Sequence, residues 1–252
     1  MNNNFKDKVL SAADALNISL TEEKLEKLYK YYSMVTEKNK VMNLTAVTDE
    51  DEFIIKHIAD SMAIVKSGNR IDKILSSENS KVIDVGTGAG MPGIIVKILY
   101  PKTHMVLFDS LKKRLDFLDE VIGELSLENT ETLHGRAEDI GRDKRYRESF
   151  DLVISRAVAN MSTLSEYCIP LLKKGAVFLP FKSGDIDDEL KEGAAAIELL
   201  GGVNREVIRF DLPGTDIRRS LIIIEKNKNT PSKYPRKAGT PSKEPLRFKG
   251  GK

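Results

Sequence analysis

The sequence has no tryptophan, one cysteine and three histidines, and aromatic residues make up 6% of its 252 positions. A single cysteine excludes an internal disulfide and removes the basis for a thiolate metal cluster within the chain. That residue, Cys168, sits in the apolar stretch Glu166-Tyr167-Cys168-Ile169-Pro170-Leu171-Leu172 and reads as a buried helix residue. No apolar run approaches the roughly 20 residues of a membrane span. Met1–Asp7 lacks the charged-then-apolar layout of a signal peptide. These absences lead to the expectation of a cytoplasmic protein in reducing surroundings, without metal or membrane.

Net charge is small only on average. The formal net charge is +2. Residues 226–252 nevertheless carry seven Lys and two Arg against the single acid Glu244, whereas the rest of the chain has 31 basic and 37 acidic residues. This basic segment is proline-rich and internally repeated, Thr230-Pro231-Ser232-Lys233 echoing Thr240-Pro241-Ser242-Lys243. Two readings stay open for it: contact with a polyanion such as RNA, or an extended strap laid on the folded body.

Helical spacing dominates residues 1–75. Ser19 and Glu22 stand at capping-box separation, with Leu25, Leu28, Tyr32 and Val35 following at helical intervals. Thr48 and Asp49 cap a helix that carries Ile54, Ile58, Met62 and Val65 on one face. His57, Asp60 and Ser61 then form a cluster on an adjoining surface, and Asn43 is either a loop cap or a base-binding side chain. From residue 76 to 226 strands and helices alternate. Strands are expected near 82–85, 104–108, 131–134, 150–155 and 175–181, followed by a hairpin of 203–209 and 219–225. Alternation implies right-handed crossovers and a parallel α/β sheet. Ligands bind such a sheet outside the carboxyl ends of its strands.

The richest segment is Lys81-Val82-Ile83-Asp84-Val85-Gly86-Thr87-Gly88-Ala89-Gly90-Met91-Pro92-Gly93. An apolar strand ends in an acid, a glycine turn follows, and Pro92 suits a first helical position. The glycines allow bare backbone to approach a nucleotide-like ligand. They fit both the GxGxG loop of S-adenosylmethionine-dependent methyltransferases and the GxGxxG fingerprint of nicotinamide enzymes. Asp109, closing the next strand, suits ribose hydroxyls under either reading. Asp84 at the strand end, placed to accept from loop amides or meet a methionine amino group, the acid at Glu138 and the terminal hairpin favour the methyl donor. A non-catalytic module binding the same cofactor and RNA, and a nicotinamide-dependent oxidoreductase, remain the alternatives.

Taken together, several segments resemble one family. They are Met42-Asn43-Leu44-Thr45-Ala46, His57-Ile58-Ala59-Asp60-Ser61, the glycine segment above, Phe108-Asp109-Ser110-Leu111-Lys112-Lys113-Arg114, Arg136-Ala137-Glu138 and Phe150-Asp151-Leu152-Val153-Ile154-Ser155-Arg156-Ala157. In these the chain resembles the bacterial 16S rRNA (guanine-N7) methyltransferases, the RsmG or glucose-inhibited division protein B family. The resemblance implies a class I, Rossmann-like α/β methyltransferase domain over 76–226, with a helical region at 1–75 and the basic tail at 227–252. It implies S-adenosyl-L-methionine as cofactor, held by Gly86, Gly88 and Met91 at the loop and by Asp109 at the ribose. Ala137 and Glu138 would flank the adenine, and Arg156 would lie beside the methionine end or between cofactor and substrate. The implied reaction is methyl transfer to N7 of a guanine in 16S rRNA, free or in the small ribosomal subunit. The expected protein is a monomer that needs no general base.

Overall fold

The computed structural model describes residues 1–247. A seven-stranded sheet runs in the order β3-β2-β1-β4-β5-β7-β6. The strands are β1 (Lys81–Val85), β2 (His104–Asp109), β3 (Thr130–His134), β4 (Phe150–Arg156), β5 (Leu172–Ser183), β6 (Gly202–Asp211) and β7 (Arg218–Lys226). The first five are parallel neighbours, and β7 inserts antiparallel between β5 and β6. Strand order reverses direction between β1 and β4. That reversal separates the following loops and opens a crevice at the carboxyl edge. The antiparallel hairpin at the end of a parallel sheet is the ending expected of a class I methyltransferase fold.

Alternation along the strands divides the apolar residues between two faces. Val82, Met105, Leu107, Leu152 and Ile154 bury against the N-terminal helices and the helices Gly93–Leu99 and Lys112–Glu124. Ile83, Val106, Phe108, Val153 and Phe178 face the helices Met161–Cys168 and Asp187–Leu199. Phe5, Leu28, Tyr31 and Phe53 belong to the first of these clusters, so the N-terminal helices share one continuous core with the sheet. Cys168 is fully buried, and burial pushes its thiol well above the usual range.

Three local readings change. The helix Glu22–Met42 is capped by Thr21, whose Oγ1 accepts from Lys24 N at 3.3 Å, not by Ser19. Its buried tyrosine is Tyr31, while Tyr32 is half-buried. The helical stretch after the Asp49 cap is interrupted by a π-helical turn, Ile54–Ala59. The extra residue in that turn rotates His57, Asp60 and Ser61 out of surface register, and Asp60 and Ser61 are buried. Asn43 ends its helix in the left-handed region at φ 44°. Asn39 pins the loop beyond it, accepting from Leu44 N at 2.6 Å and Thr45 N at 3.0 Å.

The proline-rich segment is laid along the body. Arg147 donates to Thr230 O and Tyr234 O, both at 2.7 Å, and Arg142 to Pro235 O at 2.7 Å. Arg236 grips the fully buried Glu166 through its backbone N at 2.7 Å and its guanidinium Nη2 at 2.7 Å. Among the described residues no helix is long and apolar enough to cross a membrane. Nor do any three His, Cys, Asp or Glu side chains there form a metal-holding group.

Candidate active site

The loop after β1 keeps side chains out of the crevice. Gly86, Gly88 and Gly90 have φ of +74°, +60° and +102°, a region costly for residues with a Cβ. At Gly86 the space is also taken, because an added Cβ would lie 2.4 Å from Val158 Cγ2. The Gly86 and Thr87 amides donate to Phe108 O at 2.8 and 3.0 Å and tie the loop to the end of β2. Asp84 holds the loop's far side. Its Oδ2 accepts from Thr87 Oγ1 at 2.7 Å and Gly93 N at 2.9 Å, while Oδ1 is buried with no partner. Burial pushes the Asp84 carboxyl up to about 6, opposed by those two hydrogen bonds and by the charge of Arg156. Pro92 directly precedes the helix that begins at Gly93, rather than occupying its first position. Gly93 takes that position because a Cβ there would lie 2.4 Å from Leu107 Cδ2 and 2.8 Å from Asp84 Oδ2.

A cavity of about 620 Å³ opens between the ends of β1, β2 and β4. Gly86, Asp109, Ala137 and Glu138 stand in its wall together. Asp109 is buried and already oriented. Its Oδ2 accepts from Gly88 N at 3.0 Å and Arg114 Nη1 at 3.4 Å, and its Oδ1 from Leu111 N at 2.9 Å. A carboxylate has about four acceptor directions, so capacity for a ligand hydroxyl remains. Glu138 is buried too, and its Oε1 accepts from Gly239 N at 2.7 Å. Gly88 stands one hydrogen bond behind the wall. Met91 is packed beneath the loop in the core shared with the N-terminal helices.

Arg156 lines a neighbouring cavity of about 520 Å³, with Lys56, His57, Lys182 and Arg219. The two cavities share Ala157 and Val158. Ala157 has φ +56°, a strained conformation for a non-glycine residue in the wall between two sites. Asp60 carries two arginines here, its Oδ2 at 2.9 Å from Arg156 Nη1 and its Oδ1 at 3.2 Å from Arg219 Nε. Ser61 plays no part in the cavity and donates to His57 O at 2.6 Å. His57 Nε2 lies 2.8 Å from Thr45 Oγ1. Burial, then the charge of Arg156, lowers its pKa to about 3, so the imidazole is neutral at physiological pH.

Several supporting residues escaped the sequence reading. Tyr31 is fully buried, and its hydroxyl donates to Ala89 O at 2.8 Å, bracing the glycine loop. Its phase with Leu28 and Val35 is the signal that marks it. Tyr167, Gly239 and Ser242 also line the larger cavity. No local pattern announces them, because the partners of Gly239 lie about a hundred positions away in the chain.

The family model described as rRNA small subunit methyltransferase G matches residues 24–220. A ribosomal RNA small subunit methyltransferase G of Clostridium tetani is 47% identical over 243 residues, covering 96% of this chain and 99% of the relative. One of Acetivibrio thermocellus is 43% identical over 238 residues, covering 94% and 95%. The solved structure of an MtNAS mutant shares the fold alone, with a TM-score of 0.53 and 13% identity over 79% of this chain and 74% of that one. On a matched segment spanning the loop, both acids and Arg156, and on near-full-length identity to its relatives, the chain belongs to the rRNA small subunit methyltransferase G family.

Proposed function

We propose that the protein transfers a methyl group from S-adenosylmethionine to N7 of a guanine in 16S rRNA. The observation that carries this reading is the larger cavity. It joins the bare backbone of Gly86 to an oriented carboxylate at Asp109 and a second buried carboxylate at Glu138. These residues fit the cofactor. Asp109 retains acceptor capacity for ribose hydroxyls and Glu138 for the adenine amino group. The size also suits, since small-molecule pockets run from about 300 to 1,000 Å³.

The bound sulfonium supplies an already activated methyl group. N7 of guanine carries a lone pair and no proton, so no side chain has to abstract one. The chain's task is alignment. Asp109 and Glu138 fix the nucleoside end of the cofactor. Arg156, held by Asp60, fixes the boundary with the second cavity, where Lys56, Lys182 and Arg219 supply positive charge for the RNA backbone. His57 in that cavity is neutral near pH 7.

The test has two arms. Calorimetry should show S-adenosylhomocysteine binding and no NADH binding. Mass mapping of 16S rRNA should show one N7-methylguanine that disappears from cells lacking the protein. NADH binding without S-adenosylhomocysteine binding would return the glycine loop to the nicotinamide reading, and unchanged rRNA in the deletion strain would remove the substrate.

A further inference from the structure

We propose that the proline-rich segment after β7 is a working wall of the active site, in which the Gly239 N–H positions Glu138 and so sets preference for an adenine base. The inference rests on the cofactor reading above. Glu138 is 5% exposed, and the Gly239 N–H at 2.7 Å is its hydrogen-bond donor among the described residues. One carboxylate oxygen is thereby engaged, and the side chain is held with the other available to an exocyclic amino group.

The segment is anchored on both sides of that contact. Before it, Arg236 binds Glu166, and Pro235 lies so close to Gly141 that a Cβ there would sit 2.8 Å from Pro235 Cγ. After it, Thr163 Oγ1 donates to Pro241 O at 3.0 Å. Gly239 itself has φ +82°, with nothing within 4 Å of an added Cβ. The glycine is therefore needed for its backbone angle, which aims the N–H, and not for space. Gly239 and Ser242 line the same cavity as Asp109 and Glu138.

Two ligands that differ at the base isolate this role. S-adenosylhomocysteine offers an amino group at position 6, and S-inosylhomocysteine offers an oxo group there. Calorimetry on the wild-type chain should show the adenosine ligand preferred by roughly tenfold or more, as for a hydrogen bond to a charged group. Gly239→Pro deletes the N–H in the full-length chain and, with φ held near −65°, also the angle that aims it, and should reduce that preference several-fold. Gly239→Ala keeps the N–H but strains the angle that aims it, and should reduce the preference by less than Gly239→Pro does. A chain ending at Ala238 keeps the Arg236 anchor and should behave as Gly239→Pro does. A preference unchanged in both Gly239→Pro and the shortened chain overturns the inference and leaves the cofactor reading intact. Failure of the wild-type chain to bind either ligand overturns both.

Discussion

At the scale of single residues, the two acids beside the glycine loop have opposite tasks. Asp109 has three donors and a charge to offer. Asp109→Ala should weaken S-adenosylhomocysteine binding by roughly 1.5–3 kcal/mol, the worth of hydrogen bonds to a charged group, and unchanged affinity in the folded variant would show that ribose is held elsewhere. Asp84 is a carboxylate whose ionisation is opposed by burial. Its folded pKa of about 6 exceeds the ordinary 3.8, so the folded chain holds a proton that the unfolded chain has lost between those values. Stability is therefore given up as pH rises through about 6. Asp84→Asn removes that penalty. Its melting temperature relative to wild type should rise between pH 4 and pH 8, by the equivalent of about 2–3 kcal/mol at most. His57 runs the other way. Its folded pKa of about 3 lies below the ordinary 6.5, so acid favours the unfolded chain between those values and stability falls as pH drops through that window. The rate of methyl transfer should show no titration from His57 near neutral pH. A bell-shaped single-turnover profile abolished by His57→Ala would make it a catalytic group.

At the scale of elements, the strands were legible because most are apolar runs ended by turn residues, and every expected strand is present within about three residues of its bounds. The glycine loop was legible for the same reason: its backbone angles demand a residue type that the sequence displays openly. What was not legible depends on contacts between distant segments. The π-helical turn Ile54–Ala59 moves Asp60 from surface to interior, where it joins Arg156 and Arg219, and nothing in the spacing of Ile54, Ile58 and Met62 reveals the added residue. Tyr31 and Tyr32 are adjacent, and only a one-residue difference in phase with Leu28 and Val35 separates the buried one from its half-buried neighbour. Tyr31→Phe keeps the packing and deletes the hydroxyl bond to Ala89 O. It should cost about 1 kcal/mol of stability by denaturant titration and weaken cofactor binding through a loosened loop. No change in either measurement would separate the helix Glu22–Met42 from the site.

At the scale of the whole molecule, the N-terminal helices, the sheet and the final segment act as one body. The charge pattern left the basic segment between RNA contact and strapping. The buried Glu166 decides how much structure it carries, because removing Arg236 would leave a charge with no counterion in the interior. Arg236→Ala should destabilise the protein by roughly 3–5 kcal/mol. Melting at the wild-type temperature, with only a flatter salt dependence of RNA binding, would assign the segment to RNA alone. The distance in sequence between Gly239 and Glu138, 101 positions, also bears on how the protein comes into being. During synthesis all seven strands leave the ribosome before Gly239 does, and contacts of such long range form late in folding. A nascent chain with its sheet complete still lacks one side of this cavity, which closes only when the segment carrying Gly239 and Ser242 has been made and laid down.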